Sequence, residues 1–278
     1  MRTDARAETG SVEASGIGPD GATSVLGRYD LRQPVRRFDL PGRLDEISGL
    51  ALTEDGRLLA HDDERARVHV IDRLTGEVGK SFDLGSGEVR DDFEGIARIG
   101  ERLFLASSRG FLYEFREGAD DADVAYRVTN TRLGRDCEVE GLDYDAGTDA
   151  LVFACKESTQ GRDFLVLHRL PVAPDAERPP PLLVPRGRLE SVGLDPAFRP
   201  SAVLVTSEDT FLLLSATTES ILEVDREGNI VSGSRLDVGA HAQPEGLAMD
   251  ADGLLYIADE ENDNDARITV YAPAGNAP

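Results

Sequence analysis

Short apolar runs alternate along the chain with turns that are rich in glycine and acidic residues, and the runs recur in a fixed order. Two apolar runs flank a turn such as Glu54-Asp55-Gly56, which is typical of a β-hairpin. A third run alternates apolar and polar positions, as in Val68-His69-Val70-Ile71-Asp72. A second turn then leads into a fourth, more polar run. Four strands in one unit are the composition of a propeller blade.

The units begin with a common motif, in which a serine or glutamate precedes a glycine. The motif occurs as Glu46-Ile47-Ser48-Gly49-Leu50-Ala51, Phe93-Glu94-Gly95-Ile96-Ala97, Val139-Glu140-Gly141-Leu142-Asp143 and Pro244-Glu245-Gly246-Leu247-Ala248. Ser48 and Glu94 are 46 positions apart, as are Glu94 and Glu140, and a degenerate copy stands at Pro200-Ser201-Ala202. A repeat of this length predicts an all-β propeller of five four-stranded blades. The alternative of six blades requires a hidden blade in the proline-rich stretch 171–185, which we interpret as a surface excursion of blade 3.

The last unit has three strands before the chain ends. Residues 33–40 resemble the fourth strand of other units, such as residues 80–84, and are predicted to complete the last blade and close the ring. Residues 1–28 are rich in Gly, Ser, Asp and Ala and are predicted to form a mobile tail. Residues 29–278 then form a single propeller domain.

The ordered motif copies, together with Asp62-Asp63-Glu64 and Lys156-Glu157 after second strands, resemble the SdiA-regulated domain family of YjiK-type bacterial β-propeller proteins. The resemblance covers about residues 35–273. It implies a propeller of poorly defined activity that is often associated with the cell envelope, and it transfers no catalytic residue to this chain.

First strands line the channel of a propeller, so the first residues of five such strands are expected around one channel mouth. These residues are Ser48, Glu94, Glu140, Ser201 and Glu245. Second strands run back and end at the same face. Their last residues are the pairs Asp62 and Asp63, Ser107 and Ser108, Lys156 and Glu157, Thr218 and Glu219, and Asp259 and Glu260.

Three carboxylates around one axis raise each other's pKa unless a cation or hydrogen-bond donors lie between them. Glu94, Glu140 and Glu245 are therefore candidate metal ligands, and calcium suits an all-oxygen set best. In a structural alternative, the three glutamates accept backbone N–H groups of the next blade and join neighbouring sheets. The candidate ligand-binding residues beside them are Ser48, Asp62, Lys156, Ser201 and Asp259. His61 and His241 are the candidate catalytic bases.

Composition limits the partners. The chain carries 30 basic and 53 acidic residues, a net charge of -23, which argues against nucleic acid. No apolar run approaches the length of a membrane span, and the lack of a signal-peptide core favours a cytoplasmic location. Cys137 and Cys155 are expected on adjacent strands of one hairpin, narrowly out of pairing register, as free thiols.

Two functions fit these patterns. The favoured one is a non-enzymatic propeller that binds a small ligand, a cation or a protein partner at its acidic channel mouth. The alternative is a calcium-dependent hydrolase of phosphate esters or lactones, in which the three glutamates hold calcium and His61 or His241 acts as general base. The sequence leaves open which of the two applies.

Overall fold

The computed structural model describes residues 24–160, 162–261 and 265–274. It contains five sheets arranged as a five-bladed β-propeller, which confirms the predicted fold class and the favoured number of blades. Strand β1 (Arg36–Asp39) precedes the first blade along the chain. Blade 1 then contains β2 (Ile47–Leu52), β3 (Leu58–Asp62), β4 (Arg67–Ile71) and β5 (Val78–Leu84).

The chain segment of blade 2 also contributes a short strand to the sheet of blade 1. Its own four strands are β6 (Phe93–Ile99), β7 (Arg102–Ser107), β8 (Phe111–Arg116) and β10 (Arg127–Asn130). The loop before β10 carries β9 (Asp123–Val124), which pairs in parallel with β5 of blade 1. Blades 1 and 2 are therefore joined by backbone hydrogen bonds at their outer side as well as by packing.

Blade 3 has the longest strands, β11 (Cys137–Asp145), β12 (Ala150–Ser158) and β13 (Phe164–Pro171), followed by β14 (Leu182–Pro185). The proline-rich residues 172–181 connect β13 to β14, which pair with each other, so the stretch is an excursion of this blade. Blade 4 consists of β15 (Ala202–Val205), β16 (Phe211–Ser215), β17 (Ser220–Val224) and β18 (Ile230–Arg235).

Blade 5 is assembled from both ends of the domain. It contains β19 (Pro244–Met249), β20 (Leu255–Asp259) and β21 (Arg267–Tyr271), and its outer strand is β1. Phe38 pairs with Ile268 in this antiparallel contact, so the N-terminal strand closes the ring as predicted. Among the described residues, a short 3-10 helix precedes β1, at Leu26–Arg28, and others lie between strands, at Gly42–Leu44, Leu133–Arg135 and Arg186–Val192. In the described part of the chain, no helix is long and apolar enough to cross a bilayer.

The hydrophobic core lies between neighbouring blades rather than within one layer. One cluster packs Leu59 and Phe82 of blade 1 against Phe93 and Leu105 of blade 2. Another packs Val152 of blade 3 against residues of blade 4. Each sheet thus buries one face against the previous blade and the other against the next, which explains why the second strands are apolar at nearly every position.

The packed domain begins before the predicted boundary at residue 28. Val25 and Leu26 are buried, and Leu26 packs against Leu212 and Ile221 of blade 4. The backbone N–H groups of both residues donate to the carboxylate of Glu223, each at 3.0 Å. Residues 24–28 therefore belong to the propeller domain. Residues 1–23, where the rest of the predicted tail lies, are outside the described residues.

The prediction of free thiols was wrong, because Cys137 and Cys155 form a disulfide with a Cα–Cα distance of 5.3 Å. Two register shifts, at Lys156 of β12 and at Glu140 of β11, place Val139, rather than Cys137, opposite Cys155 in the backbone ladder. The irregular backbone between these positions brings the Cys137 sulfur back to its partner. A regular hairpin register, which the sequence reasoning assumed, would keep the two residues apart.

Candidate functional site

The motif residue before each glycine is the extra residue of a β-bulge. In blade 2, Phe93 pairs with Ser107 and Gly95 with Ala106, which leaves Glu94 without a partner residue in the ladder. The same irregularity occurs in blades 1, 3 and 5, where the extra residues are Ser48, Glu140 and Glu245. A bulge redirects a side chain away from the regular alternation of a strand. The repeated motif therefore encodes a repeated local geometry at one end of four first strands.

The glycine after each bulge residue permits close approach of the next blade. A Cβ atom on Gly95 would lie 2.6 Å from the backbone nitrogen of Leu142, and one on Gly141 would lie 2.8 Å from that of Val203. Neither contact is possible for a real side chain, so glycine is required for neighbouring first strands to approach this closely. This narrow ring brings the bulge residues of different blades together.

One hydrogen bond joins two of the bulge residues, and an ion pair joins a third to a neighbouring second strand. The Ser48 hydroxyl donates to Glu94 Oε2 at 3.1 Å, across blades 1 and 2. The ammonium of Lys156, at the end of the second strand of blade 3, donates to Glu140 Oε1 at 2.5 Å. We call Ser48, Glu94, Glu140, Lys156 and Glu245 the mouth cluster.

The electrostatics of the mouth cluster favour bound protons on its carboxylates. Burial raises the pKa of Glu94 to about 9, and the Glu140 carboxylate adds to the effect. Burial also raises the pKa of Glu140 to about 7, although Lys156 opposes the shift. The pKa of Glu245 is well above its usual range because of burial and the charge of Glu140. One ammonium is thus insufficient to keep three crowded carboxylates ionised near pH 7.

Two acidic residues at the ends of second strands, Asp63 and Glu260, extend the cluster towards solvent. Burial raises the pKa of Glu260 to about 7, with further increases from Asp63 and Glu46. Burial likewise raises the pKa of Asp63 to about 6. Among the described residues, Asp63 Oδ1 is buried without a hydrogen-bond partner. The acidic region therefore continues from the mouth cluster to the edge between blades 1 and 5.

A surface groove of about 690 Å³ lies at this edge. Its walls include Glu46 and Asp62 of blade 1 and Gln243 and Glu260 of blade 5. Burial raises the pKa of Asp62 to about 6, and its carboxylate accepts the backbone N–H of Arg65 at 2.7 Å. Asp62 thus belongs to the groove wall.

In the structural alternative, the three glutamates would accept backbone N–H groups of the neighbouring blade. Within residues 24–160, 162–261 and 265–274, no backbone N–H donates to the carboxylate of Glu94, Glu140 or Glu245. Glu94 accepts the Ser48 hydroxyl across blades 1 and 2, but the packing between neighbouring blades comes mainly from the close glycine contacts and the apolar clusters. The acidic side chains are therefore not committed to holding the sheets together.

His61 lies inside the protein rather than at the channel mouth. Its side chain is fully buried, and a Cβ on Gly49 would lie 2.6 Å from its Nε2 atom. Nδ1 is 2.8 Å from the carbonyl oxygen of Asp62. Burial lowers the pKa of His61 to about 4, so the imidazole is neutral. These surroundings are those of a packing residue above the glycine of blade 1.

His241 is fully buried as well and bridges two side chains of blade 5. Its Nδ1 lies 2.7 Å from Asp259 Oδ2, and its Nε2 lies 2.6 Å from the hydroxyl oxygen of Tyr271. The pKa of Asp259 is raised because of burial, although His241 opposes the shift. Asp259 therefore faces the interior of the blade, whereas its neighbour Glu260 faces the mouth.

Of the other predicted residues, Ser201 has its hydroxyl engaged between blades 4 and 5. It donates to the carbonyl oxygen of Pro244 at 2.7 Å. The structure thus brings Ser48, Glu94, Glu140, Glu245 and Lys156 into one cluster and places Asp62 in the adjoining groove. Ser201, Asp259, His61 and His241 have internal contacts. The candidate ligand-binding residues include Asp259 but not Glu260. Because neighbouring side chains of a strand point to opposite sides, the sequence could have distinguished the side chain that faces the mouth from the one that faces the interior.

The fold and site define a class of protein: a five-bladed β-propeller with an acidic channel mouth. Residues 199–263 match the family described as SdiA-regulated, which confirms over this stretch the resemblance drawn from the repeats.

Solved structures with the same fold include several enzymes. Glutaminyl cyclase from Myxococcus xanthus is 15% identical, with a TM-score of 0.58 over 86% of this chain and 94% of that one. A luciferin-regenerating enzyme is 10% identical, with a TM-score of 0.57 over 87% and 96% of the two chains. The PQQ-bound aldose sugar dehydrogenase from Streptomyces coelicolor is 12% identical, with a TM-score of 0.52 over 86% and 97%. These likenesses concern the fold.

Proposed function

We propose that this protein is a ligand-binding propeller whose mouth cluster binds a cation, and that calcium is the ion that fits it best. The observation that carries the proposal is the set of three bulge glutamates, which face one another with one ammonium and without backbone donors. Converging carboxylates of this kind gain most from a positive ligand, because the ligand removes their mutual repulsion.

The donor chemistry of the cluster agrees with calcium. Carboxylates of Glu94 and Glu245 and the hydroxyl of Ser48 are hard oxygen donors, and calcium accepts six to eight of them with flexible geometry. The Lys156 ammonium competes for Glu140, which limits how many charges the ion can neutralise. Asp63 and Glu260 add carboxylates on the solvent side and would attract a cation towards the mouth.

A calcium-dependent hydrolase is the alternative function. Its proposed bases, His61 and His241, have no exposed surface, so neither reaches a substrate at the mouth in this structure. Glutaminyl cyclase and the luciferin-regenerating enzyme, which have a similar fold, are enzymes by name. The test below therefore also measures substrate turnover. The binding function has the better support from the contacts of the two histidines.

Calorimetric titration of the chelator-treated protein with calcium tests the proposal. We expect one binding event, an affinity at least about tenfold lower in Glu245→Gln, and no change in Glu54→Gln, which alters an exposed turn residue of blade 1. The absence of binding heat in the wild-type protein would overturn the proposal. Calcium-dependent turnover in a panel of phosphate esters and lactones would instead favour the hydrolase.

Proton release gives a second readout. Because the pKa values of Glu94 and Glu140 are about 9 and about 7, Glu94 is mostly protonated and Glu140 is partly protonated at neutral pH. A bound cation displaces them, so calcium should bind more tightly at pH 8 than at pH 5. Titrations in two buffers of different ionisation enthalpy measure the protons released. A pH-independent affinity without proton release would place the ion outside the mouth cluster.

A further inference from the structure

Blade 3 contains a second cluster of side chains that could bind a metal ion. It consists of sulfur and nitrogen atoms, whereas the mouth cluster consists mainly of carboxylates. The disulfide sulfurs of Cys137 and Cys155 and a ring nitrogen of His168 all lie within 4.8 Å of one another. The three residues come from the first, second and third strands of the blade, and each is buried. Rigid strands therefore hold all three side chains.

His168 has a ring nitrogen that makes no hydrogen bond in the described structure. Its Nε2 is buried and has no hydrogen-bond partner among the described residues. Its pKa is lowered because of burial and the nearby Arg178 charge, so the ring is neutral. A buried nitrogen without a partner is costly, and ligation of a metal ion would remove this cost.

We propose that reduction of the Cys137–Cys155 disulfide creates a zinc site formed by the two cysteine sulfurs and His168. Tetrahedral zinc, with Zn–S of about 2.3 Å and Zn–N of about 2.0 Å, spaces its ligand atoms by about 3.5 Å. Breaking the disulfide allows the two sulfurs to separate to this spacing. Two thiolates and one neutral imidazole are a zinc ligand set that leaves a fourth position for water.

Formation of the zinc site takes two steps, disulfide reduction and metal binding. An external dithiol reduces the disulfide, gives two cysteine thiols and is itself oxidised to a cyclic disulfide. Zinc then binds both sulfurs with release of two protons, while His168 donates its lone pair without losing a proton. A surface cavity of about 420 Å³, lined by Gly134, Asp136 and Cys137, reaches the cluster at Cys137.

The test uses cobalt as a spectroscopic substitute for zinc. Protein reduced with a dithiol, freed of excess reductant without oxygen, should bind one cobalt ion with a thiolate-to-cobalt charge-transfer band that zinc abolishes. Oxidised protein should show no band. His168→Asn should lower the cobalt affinity at least about tenfold. The control is His69→Asn in blade 1, whose Nε2 is also buried without a partner among the described residues and which should match the wild type.

Measurements on the wild-type protein test the site even if a variant does not fold. A reduced wild-type protein that shows no charge-transfer band overturns the site, whether it is folded or not. A band of equal affinity in His168→Asn overturns the role of the histidine and with it the proposed ligand set. A dithiol redox titration adds a thermodynamic measure, because zinc should shift the disulfide towards reduction in wild type and much less in His168→Asn, which keeps both cysteines.

Discussion

Glu223 and the glutamates of the mouth cluster are all buried or largely buried, but their surroundings are opposite. Glu223 in blade 4 is fully buried and accepts hydrogen bonds from the Ser24 hydroxyl at 2.7 Å and from the backbone of Val25 and Leu26. Hydroxyl groups of blade 4 contribute further, with Thr210 at 3.0 Å and Ser232 at 3.1 Å. This carboxylate is structural, since it fastens the N-terminal segment to the domain.

Glu245 in the mouth cluster has no such set of donors. Among the described residues, no hydrogen bond reaches its carboxylate, and the neighbouring charges of Glu140 and Glu260 are negative. A carboxylate that serves the fold is thus surrounded by N–H and O–H groups, whereas the mouth carboxylates face one another. The difference separates a structural glutamate from one that is free to bind a ligand.

The largest expected effect concerns Glu223. The backbone N–H groups of Val25 and Leu26 donate to different oxygens of Glu223. Glu223→Gln replaces one of these oxygens by an NH₂ group that itself donates, so one backbone N–H loses its acceptor and faces another donor. We expect the free energy of unfolding to fall by about 3 kcal/mol in urea denaturation at pH 8. Glu245→Gln, the matched control, should lose no stability, because among the described residues no hydrogen bond to its carboxylate is lost and the raised pKa shows that the charged form is disfavoured. Equal losses in the two variants would remove the distinction between the groups.

A smaller effect concerns pH. An acid whose folded pKa is raised stabilises the protein below its unfolded pKa, and this stability is lost as the pH rises through the folded value. For Glu94 the window extends from 4.5 to about 9, and for Glu140 from 4.5 to about 7. Relative to Glu94→Gln, the wild type should therefore lose about 2 kcal/mol between pH 5 and pH 8. Parallel pH profiles of unfolding free energy would contradict the shifted pKa of Glu94.

The smallest effect concerns Lys156. Lys156→Met removes the ammonium paired with Glu140 and should lower the unfolding free energy by about 1 kcal/mol at pH 8. The value is modest because the Lys156 side chain is 38% exposed and solvent screens the pair. At pH 5 the loss should vanish, because Glu140 is protonated there. The variant should also bind calcium more tightly, since Glu140 becomes available; a weaker affinity would indicate that Lys156 helps to hold the ligand.

Repeats in the sequence were sufficient to predict the blades, the closing strand and the convergence of Glu94, Glu140 and Glu245. They succeed because a propeller places equivalent residues at equivalent positions around one axis. The same reasoning failed for Cys137 and Cys155, because it assumed regular pairing in a hairpin that contains a bulge. A bulge depends on the local backbone of both strands, and neither cysteine carries a sequence signal for it.

Side-chain direction was the second source of error at the site. Asp259 and Glu260 are adjacent and equally acidic, yet only Glu260 faces the mouth, because Asp259 pairs with buried His241. His241 is separated from its partners Asp259 and Tyr271 in sequence, so no local pattern indicates the contact. Long-range contacts of this kind depend on how the strands of blade 5 pack, which the repeat does not encode.

The placement of β1 in blade 5 has a consequence for biosynthesis. Of all the described strands, the ribosome makes β1 first and its hydrogen-bonding partner β21 last. Blades 1 to 4 can therefore fold on the nascent chain while β1 has no strand to pair with. The circle is completed only when translation has passed Tyr271, and until then the first-made strand is exposed to chaperones and to other nascent chains.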